Sequence, residues 1–246
     1  MTTATQLFAG CRQALSLGLD VSGSVDADEY RMQLDGLANA FAHPDVQVAL
    51  LAWAAHPVQI SVFEWSGPND QRLLIPWTEV DAAPVLTNIA NDLRAVLRIP
   101  MGPPTAIGSA KLFGGALLAR KPECWKRTLD ISGDGMSNTG PLPRDTRLGE
   151  NITINALVIG ADDAASGDAR HADIAALSSY FRAWVIQGPD AFVETALGFS
   201  DYERAMVRKL KRELQGPSLA TLPAAPATRT GNAIPAWKTL VAARSQ

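Results

Sequence analysis

Oxygen-bearing side chains follow the first strongly apolar stretch of the sequence at every second position. Residues 17–26 read LGLDVSGSVD, so that Asp20, Ser22 and Ser24 alternate with a valine and a glycine. Aspartate and serine are also common caps at the start of a helix, because they accept hydrogen bonds from its free N–H groups. Taken alone, the segment fits a helix cap as well as a set of ligand oxygens.

Two later loops carry the same kind of chemistry. Thr105 lies in GPPTAIGSA just before a predicted helix, and Asp134 lies in ISGDGMSN just after a predicted strand. With the first loop they offer two carboxylates and three hydroxyls, a set that suits a hard cation. The pattern therefore predicts a divalent cation site made of Asp20, Ser22, Ser24, Thr105 and Asp134. Mg²⁺ is the preferred ion, with Mn²⁺ and Ca²⁺ as alternatives.

The pattern of the whole chain predicts a scaffold that brings these loops together. Strand-like runs alternate with helix-like segments between residues 15 and 214, which is typical of an α/β protein with a mostly parallel sheet. Ligands of such sheets gather beyond the carboxyl ends of the strands, where all three loops are expected. The predicted strands are residues 15–19, 48–53, 58–65, 127–132, 152–159 and 183–186, and the predicted helices are residues 26–41, 84–97, 107–119, 168–180 and 190–214.

One local pairing and one loop complete this prediction. A short turn around His56 and Pro57 makes residues 48–53 and 58–65 a candidate hairpin. The stretch that follows residue 65 is rich in Gly, Pro and Asn and is expected to be a loop.

Composition bounds the classes of function. With 246 residues, 47% of them hydrophobic, the chain is long enough for one full core. The formal net charge of −3 gives no electrostatic footprint for nucleic acid or an anionic membrane, and the longest apolar runs are too short to span a bilayer. We expect an N-terminal extension at 1–10, one domain at 11–215 and an Ala- and Pro-rich tail at 216–246. The first residues do not form an intact signal peptide, so export of a longer or trimmed chain stays open.

The site residues together resemble those of a known family. The DVSGS segment at 20–24, Thr105 in a glycine-containing loop and Asp134-Gly135 after a strand look like the metal-ion-dependent adhesion site (MIDAS) of von Willebrand factor type A (VWA) domains. The sequence resembles still more closely a family of uncharacterised, mostly exported bacterial proteins of this type, in which four short motifs recur. In this chain they are EWSG at 64–67, PW at 76–77, TAIG at 105–108 and DISGDG at 130–135.

The resemblance implies a fold, a ligand set and a mode of binding. The fold would be α/β and doubly wound, with a mostly parallel central sheet, one antiparallel edge strand and helices on both faces. Ser22, Ser24 and Thr105 would offer hydroxyls to the cation, and Asp20 and Asp134 would act largely through bound water. In that family an acidic side chain of a partner protein fills the open coordination position. Because hydroxyls are neutral, the cation keeps most of its charge for that carboxylate.

The resemblance also bears on the two cysteines of the chain. Cys11 lies nine residues before Asp20, and Cys124 lies ten residues before Asp134. In the family fold these aspartates end neighbouring parallel strands, so counting back places both cysteines near the opposite edge of the sheet. Neighbouring strands lie about 4.8 Å apart, which disulfide geometry permits. We therefore expect a Cys11–Cys124 disulfide and a periplasmic or secreted protein, with two reduced thiols in a cytoplasmic protein as the alternative.

Three functions are compatible with these features. The first is an adhesion-type module that coordinates a divalent cation and an acidic residue of a partner protein. The second is a hydrolase in which the metal activates water, although no general base is apparent. The third is a structural domain with a vestigial metal site. Of the other acidic residues, we expect Glu64 to form an ion pair or to lie just behind the metal loops, and Asp130 to pair locally.

Overall fold

Six strands form one sheet in the computed structural model, which describes residues 10–160 and 167–214, the side chains of 167–172 excepted. The strands are β1 (Gln13–Asp20), β2 (Val58–Trp65), β3 (Gln71–Val80), β4 (Lys126–Gly133), β5 (Ile152–Ile159) and β6 (Val193–Ala196). In space they run in the order β3-β2-β1-β4-β5-β6. Neighbouring strands are parallel except for β2 and β3, so the expected antiparallel edge strand is confirmed.

Helices cover both faces of this sheet. One face carries α1 (Ala27–Ala42), α2 (Pro44–Leu51), α3 (Ala83–Ala95) and α6 (Tyr202–Leu214), which is preceded by a short 3₁₀ turn. The other face carries α4 (Ile107–Leu118) and α5 (Gly167–Trp184). The doubly wound α/β class expected from the sequence is thus confirmed. Within the described ranges, no helix combines the length and the apolar character needed to cross a bilayer.

The central strand divides the core into two apolar layers. Leu15, Leu17 and Leu19 of β1 belong to the layer beneath α1 and α6, whereas Ala14 belongs to the layer beneath α4. Strands buried on both faces are rich in apolar residues, which explains why β1 and β5 were predictable. The strands also carry buried polar side chains in their interior, such as Ser16 of β1, Asp130 of β4 and Asn155 of β5.

The hairpin of the structure is not the one expected from the sequence. Residues 48–51 lie in α2, which begins with Pro44 after the N-cap His43, so the strand predicted at 48–53 is wrong. A capping residue followed by proline is a helix-start signal, and here it outweighs the apolar run. The partner of β2 is β3, in the stretch expected to be a loop. Pro76 lies in this edge strand where the register shifts, which is where a sheet tolerates a missing N–H.

The last strand was also misplaced. Helix α5 continues to Trp184, so the strand predicted at 183–186 is wrong, and β6 lies instead inside the segment 190–214 predicted as helical. β6 has four residues, too few for a recognisable alternation, and its pairing with β5 fixes it as a strand. Residues 1–9 and the tail 216–246 lie outside the described residues.

Candidate metal centre

The register of the central strands brings the ends of β1 and β4 to one place. Asp20 lies opposite Trp65 of β2, and Leu19 lies opposite Ser132 of β4. Because β4 ends one residue later, Asp134 follows directly beside the end of β1. The loop that contains Thr105 reaches the same edge through Ala106, whose N–H donates to Ser66 O at 2.8 Å.

Asp20 supplies a buried carboxylate with one free oxygen. Its side chain is fully buried, and Oδ1 accepts a hydrogen bond from Ser22 N at 2.9 Å. Among the described residues no donor meets Oδ2 in good hydrogen-bond geometry, although the N–H of Asp134 and the hydroxyl of Ser22 are near enough to the carboxylate to lower its pKa. Gly133 leaves room beside it, since a Cβ there would lie 3.2 Å from Oδ2. A buried carboxylate oxygen without a donor is costly, which makes it a natural ligand for a cation or for water bound to one.

The other four expected ligands form a continuous chain of oxygens. Thr105 Oγ1 donates to Ser22 Oγ at 3.2 Å, and Ser22 Oγ lies 3.4 Å from Ser24 Oγ. Ser24 Oγ in turn donates to Asp134 Oδ1 at 2.9 Å. The structure thus places all five sequence-predicted residues together, although they come from three separate loops.

The N-cap of helix α1 is a residue outside the proposed ligand set. Asp26 is the N-cap of α1, and its Oδ1 accepts from Asp28 N and Glu29 N, both at 2.8 Å. Glu29 Oε2 completes the capping box by accepting from Asp26 N at 2.8 Å. Since Asp26 and Glu29 satisfy the start of the helix, Ser22 and Ser24 are left for another role.

Two residues that the sequence did not single out hold the loops in position. Asn138 forms a reciprocal pair with Thr105: its Oδ1 accepts from Thr105 N, and its N–H donates to Thr105 O, both at 2.9 Å. Gln33 of α1 is buried, and its Nε2 donates to Asp20 O at 2.9 Å. Asn138 was visible in the motif ISGDGMSN, but no sequence signal links Gln33 to the site.

No cationic side chain among the described residues stabilises the ionised form of the two carboxylates at the site. Burial, together with the charge of Asp134, raises the pKa of Asp20 to about 8. Burial also raises the pKa of Asp134, partly offset by the hydrogen bond from Ser24. No cationic side chain counts among the causes of either shift. A bound cation would favour the ionised form of both carboxylates.

Glu64 and Asp130, the other acidic residues considered, are paired elsewhere. Glu64 accepts from Tyr30 OH at 2.9 Å and forms an ion pair with Arg72 Nε at 2.7 Å, which agrees with the ion-pair expectation. Asp130 forms a fully buried ion pair with Lys209 of α6. The ion pair agrees with the expectation that Asp130 pairs with a neighbouring group and not with the metal, although its partner is distant in sequence.

The donor set fits a hard cation. Among the described residues there is no cluster of three or more His, Cys, Asp or Glu side chains that could hold a metal. Hydroxyls must therefore supply part of any coordination, and the oxygen chain from Thr105 to Asp134 offers three of them. All-oxygen sites with one or two carboxylates are typical of Mg²⁺.

The two cysteines lie at the opposite edge of the sheet. Cys11 and Cys124 form a disulfide, with their Cα atoms 4.5 Å apart and both residues buried. Trp125 N donates to Cys11 O at 3.0 Å, so the backbone pairing of β1 and β4 continues beside the bond. The structure contains the disulfide that was expected.

Comparison with known families gives one match over most of the chain. A model described as "Protein of unknown function (DUF1194)" matches residues 10–218. No curated protein matches the sequence significantly.

Solved structures with a similar fold include three of different origin. Proximal thread matrix protein 1 from the mussel byssus, with a zinc-occupied MIDAS motif, has a TM-score of 0.56 and 14% identity over 84% of this chain and 46% of its own. The pilus adhesin SpaC from Lactobacillus rhamnosus GG has a TM-score of 0.57 and 14% identity, over 83% and 31%. The ArnB paralog VWA2 from Sulfolobus acidocaldarius has a TM-score of 0.51 and 15% identity, over 80% and 44%.

These likenesses show the fold alone, which is the VWA fold. The chain spans less than half the length of each of the three structures.

Proposed function

This chain belongs to the DUF1194 family and has the VWA fold, and on that premise we propose that it is a metal-dependent protein-binding module. The observation that carries the proposal is the chain of oxygens from Thr105 through Ser22 and Ser24 to Asp134, beside the unpartnered Oδ2 of Asp20. These five residues would hold a divalent cation, with Mg²⁺ preferred and Mn²⁺ or Ca²⁺ as alternatives.

The cation would supply a positive charge at an edge of the sheet where, in the described part of the chain, no cationic side chain stabilises the two carboxylates. Three of the five groups are neutral hydroxyls, so most of that charge would stay available to an outside ligand. A carboxylate of a partner protein is the ligand that such a charge attracts most strongly. The mussel protein with a zinc-occupied MIDAS motif is a precedent for a metal in this fold.

The proposed role is binding and not catalysis. Both carboxylates of the site are assigned to the cation, and no cluster of three or more His, Cys, Asp or Glu side chains occurs among the described residues. The pilus adhesin SpaC shares the fold and is an adhesive protein by its name. We therefore assign the chain an adhesion-type function that depends on a cation.

The proposed location is the periplasm or the cell exterior. The support is the Cys11–Cys124 disulfide, because disulfides persist mainly in oxidising compartments.

Isothermal titration calorimetry on metal-stripped, oxidised protein tests the metal site. We expect Mg²⁺ to bind wild-type protein and to raise its melting temperature, and we expect Asp20→Asn to abolish both effects. The conservative change keeps the shape of the side chain but removes its charge.

Matched controls make the result specific. Asp92→Asn removes an exposed carboxylate from α3, and Ser179→Ala removes an exposed hydroxyl from α5. Both should bind Mg²⁺ like the wild type, whereas Ser24→Ala should bind it several-fold more weakly. Equal Mg²⁺ affinity in wild type and Asp20→Asn would remove the proposal.

A further inference from the structure

Four large apolar side chains are exposed in the two loops that also contain Thr105 and Asp134. Leu97 and Ile99 lie between α3 and α4 and are 80% and 41% exposed, and Met136 and Leu142 lie between β4 and β5 and are 48% and 50% exposed. We refer to these four residues as the apolar rim. Exposed apolar side chains on loops that carry proposed ligands are available to whatever binds at the site.

Hydrogen bonds hold the first of these loops against the residues that carry the site. Gly23 N donates to Pro103 O at 2.9 Å, and a Cβ on Gly23 would lie 2.9 Å from Pro103 Cβ, so the two loops touch closely. The guanidinium of Arg98, between Leu97 and Ile99, donates to Val25 O at 2.6 Å. The first half of the rim is therefore fixed next to the serine loop.

The second loop is held as firmly. Met136 lies two residues after Asp134, and Asn138 fixes this loop to Thr105 through the reciprocal pair at 2.9 Å. Further along, the buried Lys111 of α4 donates to Pro143 O at 2.7 Å, directly after Leu142. Both halves of the rim thus belong to ordered loops that flank the oxygens.

The positive charge of Arg98 on the first loop favours the binding of an acidic residue. Residues 96–105, VLRIPMGPPT, contain an arginine and no acidic residue, and the carboxylate of Asp70, from the loop between β2 and β3, lies beside Gly102. The contacts described for Arg98 are with the carbonyl oxygens of Val25 and Asp26 and with the Tyr30 ring, 5.2 Å from its centroid. Carbonyls and rings do not neutralise a guanidinium, so its positive charge adds to that of a bound cation.

We propose that the apolar rim contacts the residues that flank the partner's acidic residue when the carboxylate of that residue binds the cation. The partner would be a protein segment in which an acidic residue is flanked, within four positions, by large apolar side chains such as Leu, Ile, Met or Phe. This inference rests on the proposed metal-dependent function and adds the chemistry of the partner segment. The cation and Arg98 attract the acid, and the rim buries its neighbours.

A displayed peptide library tests the proposal with a defined probe. Peptides of the form X₄-Asp-X₄ are selected on full-length, oxidised protein in Mg²⁺ and, in parallel, in a chelator. We expect the Mg²⁺-dependent pool to be enriched in large apolar residues on at least one side of the Asp. A synthetic peptide from this pool is then compared with versions in which the apolar flanks become Ser or the Asp becomes Asn.

Rim variants give the quantitative readout. The double variant Leu97→Ser with Met136→Ser should bind the apolar-flanked peptide about tenfold more weakly, because one to two apolar side chains lose their burial. It should bind the Ser-flanked peptide and Mg²⁺ as the wild type does. Val48→Ser, which replaces a 72% exposed residue on α2, is the matched control and should change neither.

The outcomes separate this proposal from the function on which it rests. Equal affinity for the apolar-flanked and Ser-flanked peptides, both lost with Asn, would overturn the rim inference and leave the metal-dependent function standing. Peptides that bind equally with Asp and Asn would overturn both. Self-association of the protein that disappears in the rim double variant would assign the rim to a second copy of the chain and would also overturn the inference.

Discussion

Two aspartates, Asp130 in β4 and Asp134 directly after it, have different kinds of partner. Asp130, in the interior, forms a fully buried ion pair with Lys209 of α6, which also binds Glu213 at 2.6 Å. Asp134, just beyond the end of the strand, receives a hydrogen bond from Ser24 and lies in the field of Asp20, with no cationic side chain among the causes of its pKa shift. The interior pair of carboxylates has a built-in cation, and the edge pair does not.

The difference shows how one sheet separates structure from function. A cation supplied by the chain is permanent, so the cluster of Asp130, Lys209 and Glu213 ties α6 to the sheet. A pair of carboxylates without such a cation holds a proton instead, which is why the pKa of Asp20 is raised to about 8. The lack of a cationic side chain beside Asp20 and Asp134, among the residues that the structure describes, is therefore the feature that sets the edge apart as a binding site.

The largest expected effect comes from removing the built-in cation. Lys209→Met leaves Asp130 buried without a counter-ion and leaves Glu213 with only the charge of Lys126 nearby. The loss of one partner of a buried pair typically costs about 3–5 kcal/mol of unfolding free energy. Urea denaturation followed by circular dichroism measures this cost. It should be as large in Mg²⁺ as in a chelator, because the interior cluster lies away from the metal site.

Lys211→Met is the matched control for this measurement. Lys211 pairs with Asp45 at 2.6 Å, but both side chains are about half exposed and screened by water, so the variant should lose little or no stability. If Lys209→Met were as stable as Lys211→Met, the interior carboxylates would not need their cation, and the contrast with the edge would fail.

A smaller effect is expected in the pH dependence of stability. Burial raises the pKa of Asp130 to about 7. The charge of Lys209 lowers this pKa, and the charge of Glu213 raises it further. Between an unfolded pKa near 4 and this value, the folded protein keeps a proton that the unfolded chain releases. Stability therefore falls as pH rises through that window, by up to about 1.4 kcal/mol per pH unit from this group.

Asp130→Asn should remove this slope. Lys209, Glu213 and Tyr202 are the charged or titratable groups that influence Asp130 or are influenced by it. The unfolding free energies of wild type and variant, measured in a chelator from pH 5 to 8, should therefore differ by an amount that changes with pH. The exposed Asp92→Asn serves as control, and a constant difference for Asp130→Asn would contradict the shift.

Much of the edge site was predictable because its signals are local. The serines and aspartates follow apolar strands directly, and each strand is long enough to be recognised by its buried run. Once the sheet is parallel, the ends of neighbouring strands must meet, so the five residues could be brought together without coordinates. The Cys11–Cys124 disulfide was expected from the same counting, once the family resemblance made the two strands neighbours.

The features that were missed depend on distant contacts. Lys209 lies 79 positions after Asp130, and no sequence motif near either residue predicts their ion pair. β3 contains Pro76 and was expected to be a loop, because its strand character comes from pairing with β2. Gln33 was missed because a glutamine inside a helix resembles a surface residue, although it is fully buried against Asp20 O.

The smallest expected effect separates two polar residues of a single loop. Asp26 accepts hydrogen bonds from two N–H groups of α1 and therefore serves the helix. The contacts described for the Ser24 side chain are with site oxygens alone. Asp26→Ala should therefore cost about 1 kcal/mol of stability and leave Mg²⁺ affinity unchanged. Ser24→Ala should do the reverse, with little change in stability and weaker Mg²⁺ binding.

The unfolding free energy and the Mg²⁺ affinity should both be measured for Asp26→Ala and Ser24→Ala. Together they distinguish a polar group that caps a helix from one that is available to a cation. In β4 the contrast lies between Asp130 and Asp134, which differ in burial as well as in partners, but Asp26 and Ser24 are both exposed. A difference between them must therefore arise from their hydrogen bonds and not from their depth. If Asp26→Ala weakened Mg²⁺ binding as much as Ser24→Ala, the loop would act as one unit, and availability of a polar group would no longer identify a ligand.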